Sequence, residues 1–185
     1  MYRPKFEITS ELMGLLTQAT ELKAWSTQAV IDVPWLPALQ RDTAARLAHS
    51  STAIEGNPLA LPEVEALARG ESTGASEKAA QEVKNYLAAM RWIWNKKAGA
   101  SVTEKDLLYL HELLTVKVME SAQVGQYKTK PNLVIDHNGG TIYTPPGPDR
   151  AEPLTQELLS WISGAEAAKH HPVIVNGVAH HRLVS

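Results

Sequence analysis

Glu55 follows Ser51 by four residues and stands directly before Gly56-Asn57-Pro58. That run stops a helix, because glycine takes the left-handed capping conformation and proline cannot continue the ladder. A carboxylate in the last helical turn faces the negative end of the helix dipole, at a cost of about 0.3–1 kcal/mol. The placement points to a role other than helix stability; the plain alternative is an exposed glutamate at a frayed helix end. His170-His171 and His180-His181 invite a metal reading, but no carboxylate sits at ligand spacing beside them, and zero cysteines exclude thiolate ligands. No metal site is expected, and these histidines read as loop and helix-surface residues. The glycine-rich stretch His137-Asn138-Gly139-Gly140 suits a hairpin turn far better than a phosphate cradle.

The elements that carry these residues read as helices with one hairpin. Ser10 to about Gln28 has Leu12, Leu15, Leu16, Ala19, Leu22 and Trp25 on one face. "DVPWLP" is a linker. The helix ending at Glu55 begins near Leu36, with Leu36, Leu39, Leu47 and Ile54 in a stripe and Pro37 in its first turn. A short helix from Pro62 to Arg69 closes at Gly70. Ser76 caps a long helix to about Lys97, with Val83, Tyr86, Leu87, Met90, Ile93 and Trp94 facing inward. Thr103 and Asp106 resemble a capping box opening a helix to about Glu120. The period then changes to alternation on both sides of Asn138-Gly139-Gly140, a hairpin signal. Pro145, Pro146 and Pro148 end its second strand. A helix from about Pro153 to Trp161 follows, and "HPVIVNGVAHHRLVS" opens a last one. Trp92 and Trp161 read as core or core-edge residues, and the charges of "SEKAAQEVK" as a solvated face.

With 44% hydrophobic and 21% charged residues, the 185-residue chain has the composition of an ordinary globular protein. Its formal net charge of −2 carries no footprint for nucleic acid, so no nucleic-acid partner is expected. Apolar runs fall far short of the roughly 18 residues a membrane span needs, and no signal-peptide core precedes them, so no membrane is expected and the cytoplasm is the default.

Three stretches in order resemble the Fic family. "SSTAIEGN" is similar to that family's inhibitory motif, Ser/Thr-x-x-x-Glu-Gly/Asn, with Ser51 first, Glu55 the acid and Gly56 last. "GQYKTKPNLVI" through "GGTIYTPPGPDRAEPLTQELLSWI" resembles the family's flap and the helix after it. "HPVIVNGVAHHRLVS" is similar to the helix directly before the catalytic loop. The resemblance covers roughly residues 36 to 185 and implies a mainly α fold, a Fic-like helical bundle with one β-hairpin flap. It divides the chain into a helical extension (1–35), an inhibitory-helix region (36–70) and the amino-terminal part of a Fic core (76–185).

The family's signature, His-x-Phe-x-Asp/Glu-Gly-Asn-Gly-Arg-x-x-Arg, would start immediately after Ser185. The resemblance therefore implies the front part of a longer protein adenylyltransferase that moves AMP from ATP to a protein hydroxyl, with ATP and magnesium expected for the intact protein. No catalytic residue and no tightly bound cofactor is expected within residues 1–185, which should be inert alone. By the same resemblance, Glu55 pairs with the second arginine of the signature, the one that grips the ATP γ-phosphate, and Ser51 holds the glutamate. A bidentate arginine–carboxylate pair has the strength and geometry of a latch. The flap, Leu133, Val134, Ile135, Thr141, Ile142 and Tyr143, would offer its edge to an extended target segment by strand addition. The alternative is a non-catalytic helical module that binds a partner through the hairpin edge. For residues 1–35, a dimer-forming helix (a homodimer) and a packing helix stand equal.

Overall fold

Thr9 opens the first helix, its hydroxyl accepting from the Leu12 amide at 3.2 Å. In the computed structural model, which describes residues 2–29, 33–97 and 99–184, this helix, α1, spans Ser10–Gln28. Asp32 of the expected linker, and residues 1, 30, 31, 98 and 185, lie outside the described residues. Of the expected inner face of α1, Leu16 is buried, whereas Leu15, Leu22 and Trp25 are exposed, Trp25 at 73%. A 3.6-residue period marks an apolar stripe; it does not say whether another element covers it.

Helix α2 spans Leu36–Ile54 with Pro37 in its first turn. Its buried side chains are Ala45 and Ala48, while Leu39, Leu47 and Ile54 are exposed. The small residues form the seam because they let neighbouring helices approach closely, which displaces the larger expected stripe toward solvent. Helix α3 (Leu61–Ala68) starts with Pro62 in its first turn, and Glu63 reaches back to the Ala60 amide at 2.9 Å. It closes at Gly70, which has φ +84°.

Ser76 caps helix α4 (Glu77–Trp94), accepting from the Ala79 amide at 3.3 Å. Val83 and Leu87 are buried as expected, and Tyr86 and Met90 partly so. Ile93 and Trp94 are exposed, at 49% and 56%, whereas Trp92 of the same turn meets the Tyr109 ring at 5.4 Å. Helix α5 (Glu104–Thr115) follows Thr103 and ends earlier than its pattern implies. The buried Asn85 of α4 donates to the carbonyls of Leu114 (3.0 Å) and Val116 (2.8 Å), and Lys117 turns left-handed at φ 63°. Those bonds replace a further helical turn.

The hairpin pairs β1 (Val134–Ile135) with β2 (Thr141–Tyr143) in antiparallel register, Val134 opposite Tyr143 and Ile135 opposite Thr141. Ile142 is thus an extra residue on β2, a bulge. Helix α6 (Pro148–Ile162) begins five residues before the expected Pro153, since Pro148 occupies its first turn, where a missing amide costs nothing. A short 3₁₀ turn, Ala167–Lys169, leads to α7 (Pro172–Val184).

These elements form two compact units: residues 32–101 with 105–126, and residues 1–31, 102–104 and 127–185. In the first, Ala45, Ala48, Leu59, Val64, Leu67, Ala79, Val83 and Leu87 make one apolar core joining α2, α3 and α4. In the second, Leu158, Trp161 and Ala167 are packed by Tyr2, Val175 and Val178, with Tyr2 edge-on to Trp161 at 5.7 Å. Among the described residues, no helix is long and apolar enough to cross a membrane.

Candidate functional site

The end of α2 is a complete Schellman cap. The Asn57 amide donates to the Thr52 carbonyl at 3.0 Å and the Gly56 amide to Ala53 at 3.0 Å, with Gly56 at φ +87°. Glu55 is therefore the cap residue, one position beyond the last helical turn. Its side chain is exposed and takes no hydrogen bond or ion pair among the described residues. A carboxylate there remains available to an external cation.

Ser51 bonds across to α4. Its hydroxyl lies 2.7 Å from the Tyr86 hydroxyl, fastening the end of α2 to α4. The residue that fixes the segment after Glu55 is Asn57, which in the sequence reads only as part of a helix stop. Its side chain is buried, and its amide nitrogen donates to the Ala79 carbonyl (3.0 Å) and to the Glu82 carboxylate (2.8 Å). Its oxygen accepts from the Leu59 amide at 3.1 Å. An asparagine two residues past a helix cap was the available signal, since only a side chain with donor and acceptor can satisfy backbone on both sides. Glu82, which precedes no lysine at four-residue spacing, accepts this bond.

The hairpin presents its residues to solvent. Leu133, Val134, Ile135, Thr141, Ile142 and Tyr143 are all exposed, from 40% at Tyr143 to 67% at Ile142 among the apolar ones. Asp136 is engaged within the turn: its Oδ1 accepts from the amides of Asn138 (2.8 Å) and Gly140 (2.7 Å). Gly139 has φ +82°, as the Asn-Gly signal requires. Those amide donors are thus occupied within the turn and do not form a phosphate cradle.

The histidines lie apart. His170 meets the Phe6 ring edge-on at 5.1 Å, and His171 Nε2 lies 3.2 Å from the Thr20 hydroxyl. Among the described residues, no group of three or more potential ligands could hold a metal ion. Within the second unit, a cavity of about 330 Å³ at the end of α7 is lined by Lys128, Pro146, Thr155, Leu158 and Arg182 among others. The Arg182 guanidinium lies 5.0 Å from the Tyr2 ring, with its Nε buried and unbonded. Nearby, Tyr127 donates to Glu104 at 3.1 Å, and burial is the chief cause that pushes its phenol up from the ordinary value.

No family model matches the sequence. Among solved structures, the chain is similar to a Fic family protein from Desulfovibrio desulfuricans G20, with a TM-score of 0.83 and 26% identity over 98% of this chain. The chain has the Fic fold. It also aligns with a Fic domain containing signaling protein from Bacteroides thetaiotaomicron VPI-5482 (TM-score 0.77, 22% identity, 91% of this chain). Fic-1 from C. elegans gives a TM-score of 0.75 at 21% identity over 93% of this chain. At those identities the two latter likenesses concern the fold alone. The chain spans 53%, 65% and 50% of those three chains respectively.

Proposed function

We propose that this Fic-fold chain is the regulatory and target-docking part of a longer protein adenylyltransferase, held inactive through Glu55. The observation that carries the reading is the likeness to a Fic family protein over 98% of the chain, joined to an unpaired carboxylate at the cap of α2. In this reading Glu55 pairs with an arginine outside residues 1–185, and the exposed, bulged hairpin gives a target segment a strand edge. The intact protein uses ATP and magnesium and modifies a protein hydroxyl, its own among them. The chemistry comes from sequence beyond this chain, so the 185 residues alone incorporate no label from ATP. The test is to read the coding sequence past the Ser185 codon and incubate the encoded protein with ATP labelled at the α-phosphate. A Gly-Asn-Gly-Arg signature with label transfer supports the reading; a stop codon there overturns it.

The exposed apolar hairpin favours a second reading, a non-catalytic module that binds a partner by strand addition. It predicts target binding with no label transfer at all.

A further inference from the structure

In the unit built on α2, α3 and α4, a groove of about 330 Å³ runs between α2 and α4. Ala44, Leu87 and Met90 contribute its apolar lining, with the exposed Trp94 beside them, and Arg41 and Arg91 bring one guanidinium from each helix. Elsewhere in this unit arginines are paired, Arg46 with Asp42 at 2.9 Å and Arg69 with Glu71 at 2.7 Å. Arg41 and Arg91 have no such partner among the described residues. Arg41 also borders a smaller depression where Asp42 and Glu65 lie, and it bonds to neither. Two unpaired guanidiniums thus stand over an apolar lining.

We propose that this groove is a docking site for an acidic segment of a partner protein, carrying one aliphatic anchor between carboxylates. The anchor would fill the space over Ala44, Leu87 and Met90, and the flanking carboxylates would meet Arg41 and Arg91, whose planar forks suit bidentate pairing. The volume lies within the range of specific ligand pockets, at the small end. An aliphatic side chain fits a lining dominated by Ala, Leu and Met better than a nucleobase does, because that lining offers little to read a base edge. The site is independent of the Fic reading above, since it uses neither Glu55 nor the hairpin.

The test is a ¹⁵N NMR titration of the chain with a capped pentapeptide holding leucine between two glutamate pairs. Saturable shifts are expected at Arg41, Ala44, Met90 and the Trp94 indole. R41E/R91E should weaken binding at least about tenfold, and R41Q/R91Q should weaken it less, with both variants keeping a dispersed native spectrum. Replacing the leucine by glycine, or the glutamates by lysines, should also weaken it. Overturning results are no saturable shift, shifts mapping to another surface, affinity unchanged in both arginine variants, or AMP binding more tightly than the peptide.

Discussion

Asn57→Ala tests whether the segment after Glu55 is held as described. The substitution removes two donated bonds, to Ala79 and Glu82, and leaves the buried Leu59 amide without its acceptor. An orphaned buried amide costs about 1–3 kcal/mol, and a bond to a charged group contributes about 1.5–3 kcal/mol when it is not replaced by water. Glu82 is only partly buried, so solvent recovers much of its share. A net loss of about 3 kcal/mol is expected, or roughly 6–12 °C in melting temperature for a chain of this size. The assay is urea and thermal unfolding followed by circular dichroism. Asn57→Asp supplies the control: it keeps the acceptor for Leu59 but sets a second carboxylate against Glu82. It should destabilise at least as much as Asn57→Ala near neutral pH. A loss below about 0.5 kcal/mol for Asn57→Ala, the scale of an ordinary surface change, would refute the reasoning.

Ser51→Ala and Tyr86→Phe should each lower stability by about 1 kcal/mol, and the double variant by much less than their sum, because both remove the same bond; strict additivity in unfolding titrations would contradict this. Asp136→Ala should change global stability by less than about 0.5 kcal/mol while amide exchange at Asn138 and Gly140 accelerates; unaltered exchange would be the contrary result. The phenol of Tyr127 is raised chiefly by burial, so the folded state favours the protonated form. Its contribution is complete below the unfolded value near 10.0 and is lost as the pH rises through the folded value. Melting curves between about pH 9 and 11 should therefore fall less steeply for Tyr127→Phe than for the wild type.

The helix boundaries written in local chemistry were legible. Ser76, Gly56, Pro37 and the Asn138-Gly139 turn act through their own backbones, and each appears where the sequence places it. The positions misread depend on what lies opposite. Leu39 and Trp94 carry the right period but no covering element, whereas Ala45 and Ala48 form the seam through small size, which a hydrophobic stripe undervalues. Pro148 reads as a strand terminator or a helix opener with equal ease, and only the chain's direction after Gly147 decides. At the candidate site, the motif located Glu55 and Gly56. The roles of Ser51 and Asn57 depend on α4, some 22 to 35 residues away in sequence, and no local pattern announces them.

The most direct measurement compares label transfer from α-labelled ATP in the protein encoded by the complete reading frame, wild type against Glu55→Gly, with equal folding verified by melting. Glu55 at the cap of α2 is exposed, so its removal disturbs no packing. Strongly raised self-labelling in the variant is the predicted result. Equal labelling in the two proteins would contradict the latch, and with it the function assigned to this carboxylate.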